Sequence, residues 1–270
     1  MIRLIRQRFE VLDILNRGGS AEHFFHFFFG ILIPLVLYQA TKSAKTLYFV
    51  RSCGPMNRFW RELNFDNLAI VEKSSIAKLG QHFPKTTLYG FDSHAHYDVD
   101  GFSKARRYIL ERLGMTNPIS QDTETPSGVL MINRGQPDPY YNSSQAEIKG
   151  SGAQRRSIPN FRELADAFRQ IESTTKVVRP ELIPLRDQVR LFGNAKVVVM
   201  QHGSAIANII WMKPRSKLIE IRPIPDWLGV SKLCRMFGIE HEVVFQESEQ
   251  APVDVAAIVA AAGKMQEKHA

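Results

Sequence analysis

The chain has 270 residues, of which 35 are Lys or Arg and 27 are Asp or Glu, and its formal net charge is +8. Apolar residues make up 44% and charged residues 23% of the chain. These proportions are those of an ordinary globular protein, and they exclude collagen-like, coiled-coil and largely disordered chains. The length allows one large α/β domain or two small ones, and two cysteines are too few for a disulfide framework.

The positive charges are dispersed, and no basic run with interleaved aromatic residues is present. This pattern argues against a nucleic-acid partner, whereas an anionic small ligand or peripheral contact with a membrane surface fits the charge. The longest apolar stretch, residues 24–38, is shorter than the roughly 20 residues that span a bilayer. It predicts a buried helix, and the charged N-terminus before it does not have the pattern of a secretory signal.

Short apolar runs alternate along the chain with segments of helical periodicity. The predicted strands are, in order, residues 46–50, 68–71, 86–89, 129–134, 176–179, 196–200, 217–222 and 242–245. The predicted helices are residues 21–40, 56–63, 101–113, 160–171, 185–194, 205–212, 227–237 and 253–266. Continuous apolar runs are typical of strands buried on both faces of a parallel sheet, so the alternation predicts a doubly wound α/β protein.

A polar segment without hydrophobic periodicity, residues 116–128, predicts a linker between two Rossmann-like halves. We place the N-terminal domain at residues 1–122 and the C-terminal domain at residues 123–250. Residues 251–270 then contain a last helix, which we expect to pack back on the N-terminal domain. A second aperiodic segment, residues 135–154, is too long for a turn and predicts a functional loop.

The sharpest local motif is KVVVMQHGSAIAN at residues 196–208, in which a buried strand passes through His202-Gly203-Ser204 directly into a helix. Gly203 permits a tight turn, Ser204 can cap the helix, and the free N–H groups at the helix start suit a phosphate. Further on, Glu220 lies near the end of the next strand, where a carboxylate binds a ribose diol in dinucleotide-binding folds. A plain βαβ unit, with Ser204 as a cap and Glu220 as a strand-end charge, fits these residues equally well.

Arginines are predicted at the same edge of the sheet. Arg134 ends one strand, and Arg155 and Arg156 precede the helix that starts near Asn160. Arginines in such positions can grip a pyrophosphate through bidentate hydrogen bonds, although a single arginine is more often a surface charge. Together with the turn at Gly203 they indicate an anion-binding edge, which is where open α/β sheets bind ligands.

In the N-terminal half, a Gly18-Gly19-Ser20 segment opens the predicted helix that carries Glu22 and His26. Residues four apart share a helix face, so this carboxylate and this imidazole can act as a general base or orient one. The alternative is that His26, which lies among phenylalanines, is a hydrogen-bonded core residue.

A further polar cluster supports two other classes of function. His94, His96, Asp98 and Asp100 are candidate ligands for a metal-dependent hydrolase, although Asp98 and Asp100 are most simply explained as caps of the following helix. A non-catalytic nucleotide-binding protein is the second alternative.

The chain resembles the C-terminal half of family-61 glycosyltransferases over residues 129–223, in the segments RSIPNFREL and PELIPLRDQVRLFGNAKVVVMQHGSAIANIIWMKPRSKLIEIRP. The family pattern is Arg-x-Ile-x-Asn-x-x-Glu-Leu, a Gln in the next helix, His-Gly-Ala-x-x-x-Asn, and a strand ending in Glu or Gln. The residues that match are Arg134, Arg156, Asn160, Gln188, His202, Gly203, Asn208 and Glu220. Ser204 stands where the family has Ala.

The N-terminal half resembles the family through Phe25-His26 and the downstream Pro34-Leu35. The family has Asn three residues before this His and Asp four residues after it; here the two positions are His23 and Gly30. The base of the reaction therefore stays open between His26 and Glu22.

The resemblance implies a GT-B architecture, with two Rossmann-like domains facing a cleft, and an inverting, metal-independent transfer of a sugar to a hydroxyl of a glycan or glycoconjugate. It implies a nucleotide-sugar donor, UDP-xylose or another UDP-sugar, with no further cofactor. The absence of a membrane anchor leads us to expect a cytoplasmic enzyme. The implied diphosphate-binding residues are Arg134, Arg156, His202, Gly203 and Ser204, and the implied nucleoside-binding residues are Gln188, Asn208 and Glu220.

Overall fold

A computed structural model describes residues 8–42, 46–115, 126–223 and 228–263. The chain divides into two compact units, Met1–Met115 and Thr116–Ala270. Each unit contains a separate sheet whose strands are all parallel. The predicted α/β class, with its own strands in each Rossmann-like half, is confirmed. The predicted domain boundary at residue 122 lies outside the described residues.

The N-terminal sheet has the strand order β3-β2-β1-β4. Its strands are β1 (Arg8–Leu15), β2 (Thr46–Arg51), β3 (Leu68–Val71) and β4 (Lys85–Tyr89). Val11 of β1 lies opposite Phe49 of β2 and Lys85 of β4, so β1 is a central strand. The sequence analysis missed β1, because charged residues interrupt its apolar ones.

The α-helices in the described part of the N-terminal unit are α1 (Phe24–Phe27), α2 (Ile33–Gln39), α3 (Arg58–Glu62), α4 (Ser75–Leu79) and α5 (Val99–Arg112). A π-helical turn, Phe28–Leu32, joins α1 to α2, and 3₁₀ turns lie at Gly54–Asn57 and His94–His96. The helix predicted over residues 21–40 therefore begins at Phe24 and contains a π turn.

The apolar stretch over residues 24–38 is buried in the core of this unit, as predicted. The Phe27 ring lies 4.9 Å from the Trp60 ring, and the Phe29 ring lies 5.0 Å from the Phe102 ring, measured between centroids. No helix among the described residues is both long enough and apolar enough to cross a bilayer.

The C-terminal sheet has the strand order β6-β5-β7-β8-β9. Its strands are β5 (Val129–Ile132), β6 (Lys176–Val178), β7 (Val197–Gln201), β8 (Lys217–Arg222) and β9 (Glu240–Phe245). Every residue of β5, β7 and β8 is buried, as continuous apolar runs predict for the centre of a parallel sheet. Because the strands are parallel, their carboxyl ends lie along one edge of the sheet.

The α-helices of the C-terminal unit are α6 (Gly152–Arg155), α7 (Phe161–Ile171), α8 (Leu185–Asn194), α9 (Leu228–Met236) and α10 (Val255–Gly263). There are 3₁₀ turns at Pro139–Asn142, Pro180–Leu182 and Ser204–Trp211. The α-helix predicted over residues 205–212 is thus a 3₁₀ helix. The predicted loop over residues 135–154 is not wholly irregular, because it contains a 3₁₀ turn and the start of α6.

The C-terminal helix corrects one expectation. We expected it to return to the N-terminal domain, but Ile258 and Ala261 of α10 belong to the core of the C-terminal unit, in one cluster with Phe168 and Val199. The Nζ of Lys217 in β8 also donates a hydrogen bond to the carbonyl oxygen of Ala261. Residues 264–266, the predicted end of this helix, lie outside the described residues.

Phe168→Ala should destabilise the protein, because Phe168 is fully buried and truncating a buried phenylalanine costs about 3–5 kcal/mol. Ile171→Ala is the matched control, since Ile171 lies on the same helix but is 58% exposed, and its effect should stay within about 0.5 kcal/mol. Urea unfolding measures both. Equal losses would contradict the placement of this helix.

Candidate active site

The polar residues singled out in the C-terminal half gather at the carboxyl edge of the second sheet. Arg134 follows β5, and His202-Gly203-Ser204 follows β7. Glu220 lies two residues before the end of β8. The sequence analysis predicted this gathering, because parallel strands bring their carboxyl ends to one edge.

Two arginines converge on one carbonyl oxygen. Arg134 donates from Nη2 to the carbonyl of His202 at 2.5 Å, and Arg156 donates from Nη1 to the same oxygen at 3.4 Å. Gly203 makes this approach possible, since a Cβ there would lie only 1.8 Å from Nη2 of Arg134. A glycine at this position therefore leaves space for the guanidinium of Arg134 and also permits the turn.

The charged neighbours of Arg134 are of both signs. Burial is the largest cause that lowers the pKa of Arg134 to about 10; the neighbouring cations Arg156 and Arg155 also lower it, whereas Glu181 and Glu249 raise it. At neutral pH the guanidinium remains charged. An anion bound beside it would compensate both burial and repulsion.

A cavity of about 240 Å³ borders Arg134. Its lining combines polar and apolar side chains: Ile132, Asn133, Arg134, Ser157, Ile158, Phe161 and Gln201. Arg156 immediately precedes the lining residue Ser157 in the chain. Its Nε forms an ion pair with Oε1 of Glu249 at 2.6 Å. The cavity thus lies at the carboxyl end of β5 and β7, beside the first turn of α7.

The structure corrects the role expected for Glu220. Its side chain is fully buried, and it cannot reach a ribose in this arrangement. Nδ1 of His202 lies 2.5 Å from Oε1, and Nε2 of His241 lies 2.9 Å from Oε2. His241 in turn contacts the hydroxyl of Ser231 at 3.0 Å. Glu220 therefore orients the ring of His202 from the buried side of the ring.

The two histidines also keep this carboxylate ionised. Burial by itself raises the pKa of Glu220, but the hydrogen bonds and positive charge of His202 and His241 outweigh burial and lower the pKa to about 2. A buried carboxylate is stable only with such partners.

Asn208 and Gln188, expected to bind a nucleoside, are also buried, at 0% and 1% exposure. Nδ2 of Asn208 donates to Oε1 of Gln188 at 2.9 Å. Nε2 of Gln188 donates to the carbonyl of Pro180 at 3.0 Å. These amides connect the 3₁₀ helix after β7 to α8, so their role here is structural, which corrects the expectation.

Ser204 differs from its expected role as a helix cap. The 3₁₀ helix is preceded by Gly203 as its N-cap, and no side chain caps it. Instead the N–H of Ile206 donates to the carbonyl of Gly203 at 3.0 Å. Ser204 is the first residue of the helix.

In the N-terminal unit the structure joins His26 to a residue that the sequence analysis did not single out. Nδ1 of His26 lies 2.9 Å from Oδ2 of Asp92, whose side chain is fully buried, while the His26 side chain is 24% exposed. The backbone N–H groups of Arg17 and Gly18 donate to the two oxygens of Asp92 at 2.6 and 2.8 Å.

Glu22, the other candidate base, is not on a helix face shared with His26. The helix begins at Phe24, with His23 as its N-cap, so Glu22 precedes it. Glu22 is only 3% exposed. The prediction that the two side chains share one helix face is wrong, because the helix starts later than its periodicity suggested.

The metal-ligand alternative finds no support in the geometry. His94 and His96 lie in a 3₁₀ turn, and Asp98 caps α5 by accepting the N–H of Asp100 at 3.1 Å. Within the described ranges, no three His, Cys, Asp or Glu side chains are placed to hold a metal ion.

Asp92 and His241 were missed for different reasons. Asp92 follows the predicted strand over residues 86–89, and this strand end was a usable signal. Its contact with the Gly18 segment depends on β1, which was not predicted. His241 lies on the same face of the sheet as Glu220, and only the register of β8 with β9, in which Leu218 lies opposite His241, reveals that.

A family model described as Glycosyltransferase 61 matches residues 24–219, well over half of the chain. A search of curated proteins finds no match. Among solved structures, the chain is similar to E. coli ADP-heptose LPS heptosyltransferase II, with a TM-score of 0.44 and 10% sequence identity, over 97% of this chain and 100% of that one. The family match extends from α1 into β8, and it includes His26, Arg134 and His202.

Glu220→Gln should destabilise the protein mainly near neutral pH. Because the folded pKa of about 2 lies below the ordinary glutamate pKa of 4.5, ionised Glu220 contributes on the order of 3 kcal/mol above about pH 4.5, and this contribution is lost as the pH falls toward about 2. In urea unfolding, the difference between wild type and variant should therefore shrink over this range.

The exposed Glu247 provides the control for this measurement. Glu247→Gln should change the unfolding free energy by less than about 0.5 kcal/mol at each pH. A loss for Glu220→Gln that is independent of pH would show that the ionised carboxylate is not what stabilises the network.

Proposed function

The chain belongs to the glycosyltransferase 61 family, and from this premise we propose that it transfers a sugar, with inversion and without a metal ion, from a UDP-sugar to a hydroxyl group. UDP-xylose is the first donor to test, and a glycan or glycoconjugate is the proposed acceptor. The choice of uridine and xylose rests on the family resemblance of the motif residues. The choice of a diphosphate rests on the chemistry of the second sheet's edge.

The observation that carries the proposal is the concentration of positive charge beside the cavity. Arg155 and Arg156 are close enough to Arg134 to lower its pKa, and like charges are brought together at a cost in free energy. A diphosphate offers two negative groups to such a cluster, and guanidinium groups bind phosphate oxygens in a bidentate manner. The apolar walls at Ile158 and Phe161 suit the base of the nucleotide.

In a metal-free transfer, protein groups must neutralise the leaving diphosphate. We assign this task to Arg134 and Arg156, together with His202 and the backbone N–H groups of Gly203 and Ser204. Glu220 holds the ring of His202 from its buried side. This assignment keeps the predicted diphosphate site and removes Glu220, Asn208 and Gln188 from the nucleoside site.

In the proposed reaction the acceptor oxygen bonds to the anomeric carbon on the face opposite the diphosphate. The bond from this carbon to the diphosphate oxygen breaks, and its electron pair leaves with UDP. The proton of the acceptor hydroxyl goes to His26. We choose His26 over Glu22 because the His26 side chain is 24% exposed, whereas Glu22 is buried, and a general base must reach its substrate.

Titration calorimetry with UDP in the presence of EDTA tests the donor site. Wild type should bind UDP without a divalent ion, and Arg134→Ala should weaken binding at least about 10-fold, because a hydrogen bond to a charged group contributes about 1.5–3 kcal/mol. Arg162→Ala is the matched control, since the Arg162 side chain is 96% exposed on α7. Binding that requires a divalent ion would refute the metal-free form of the proposal.

His26→Ala should separate transfer from donor binding. The variant should bind UDP as wild type does, while its kcat should fall about 10²–10⁴-fold, the usual contribution of a general base. Transfer from UDP-xylose and other UDP-sugars to a panel of glycans measures the kcat. If UDP binding fell as far as it does in Arg134→Ala, the division of tasks between these residues would be wrong.

A further inference from the structure

Asp92 is a buried charged group to which the reaction described above gives no task. It follows β4 in the chain, and its side chain has no exposed surface. Burial raises the pKa of this carboxyl group, but the hydrogen bonds from His26 and from the N–H groups of Arg17 and Gly18 outweigh burial, so the pKa is lowered. The group is therefore a carboxylate at neutral pH.

The contacts of His26 determine which ring nitrogen carries the proton. The Asp92 carboxylate can only accept, so Nδ1, at 2.9 Å from Oδ2, must donate. With Nδ1 protonated, the lone pair of the neutral ring is on Nε2. The N–H of Gly19 lies 3.0 Å from Nδ1 and 3.2 Å from Nε2, so this contact does not by itself select a tautomer, and the carboxylate of Asp92 decides it.

The backbone behind Asp92 leaves this side chain little freedom to move away. A Cβ on Gly30 would lie 3.0 Å from Cγ of Asp92, and a Cβ on Gly90 would lie 2.9 Å from Oδ1 of Asp92 and 2.7 Å from the carbonyl of Gly30. The N–H of Phe91 also donates to the carbonyl of Phe29 at 2.9 Å. The loop that carries Asp92 is thus fixed against the π turn that follows His26.

We propose that Asp92 is a positioning residue for sugar transfer: it holds the proton of His26 on Nδ1, so that Nε2 receives the proton of the acceptor hydroxyl. The hydroxyl takes the place of the Gly19 N–H beside Nε2, and the resulting imidazolium remains beside the carboxylate, which stabilises it. Asp92 itself does not touch the substrate. This inference rests on the proposed function of His26 as the base.

Asp92→Asn tests the role in transfer, since asparagine keeps the volume and removes the charge. We expect kcat to fall at least about 10-fold, with little change in the KM of the donor and in UDP binding, because the donor residues belong to the other unit. The double variant of Asp92→Asn and His26→Ala should lose no more activity than His26→Ala alone, since residues that act as a unit are non-additive.

Asp13→Asn is the matched control in the same unit, because Asp13 forms a partly exposed ion pair with Lys85 at 3.1 Å. It should leave kcat unchanged. Wild-type kcat in Asp92→Asn, or a double variant whose loss is the product of the two single losses, would overturn the proposal.

A second measurement does not depend on catalysis or on a variant of Asp92. In ¹⁵N-labelled wild type, long-range ¹H–¹⁵N correlation spectra distinguish the two tautomers of His26, whose signals are assigned by comparison with His26→Ala. We expect a proton on Nδ1, and a proton on Nε2 would overturn the proposal. If wild type shows the expected tautomer but transfers no sugar, the proposed function fails while the Asp92–His26 geometry stands.

Discussion

Taking an ionised carboxylate out of water costs several kcal/mol unless hydrogen-bond donors replace its hydration shell. Among the residues that the structure describes, each unit holds a carboxylate whose side chain has no exposed surface and which is paired with histidine. In the N-terminal unit it is Asp92, surrounded by His26 and two backbone N–H groups. In the C-terminal unit it is Glu220, between His202 and His241. The requirement to satisfy each carboxylate fixes the imidazole ring that lies between it and the surface. In both units, a partly exposed histidine is therefore held from its buried side.

Much of the architecture could be predicted because it depends on local pattern. Continuous apolar runs identified eight of the strands, and the carboxyl ends of parallel strands had to share an edge. This rule predicted that Arg134 and His202 lie at the same edge of the sheet. The family resemblance also pointed to His26 as a candidate base, but the sequence did not identify the residues that surround it. The cap formed by Asp98 was also predictable, because capping involves only neighbouring residues.

The remaining features depend on contacts between distant segments. β1 was missed because its charged residues interrupt the apolar run. Without β1, the contact between the Gly18 segment and Asp92 could not be predicted either. Glu220 was correctly predicted near the end of the strand after His202, but its contact with His241 depends on the register of β8 with β9. The C-terminal helix was assigned to the wrong unit, since an apolar helix face does not identify the surface that it covers. In each case the outcome depends on contacts between segments that are distant in the chain, which the periodicity of a single segment does not reveal.

The contact between Gly30 and Gly90 has a consequence for how the enzyme can be changed. A Cβ on Gly90 would lie 2.8 Å from the Cα of Gly30, so the obstacle is main chain and no rotamer change can relieve it. A substitution at Gly90 would have to separate the segment after β4 from the π turn that contains Gly30, which makes it a poor choice in a directed-evolution library. Diversity is better introduced at exposed positions on the same unit, such as Tyr89 and Val99, where a new side chain does not have to displace main chain.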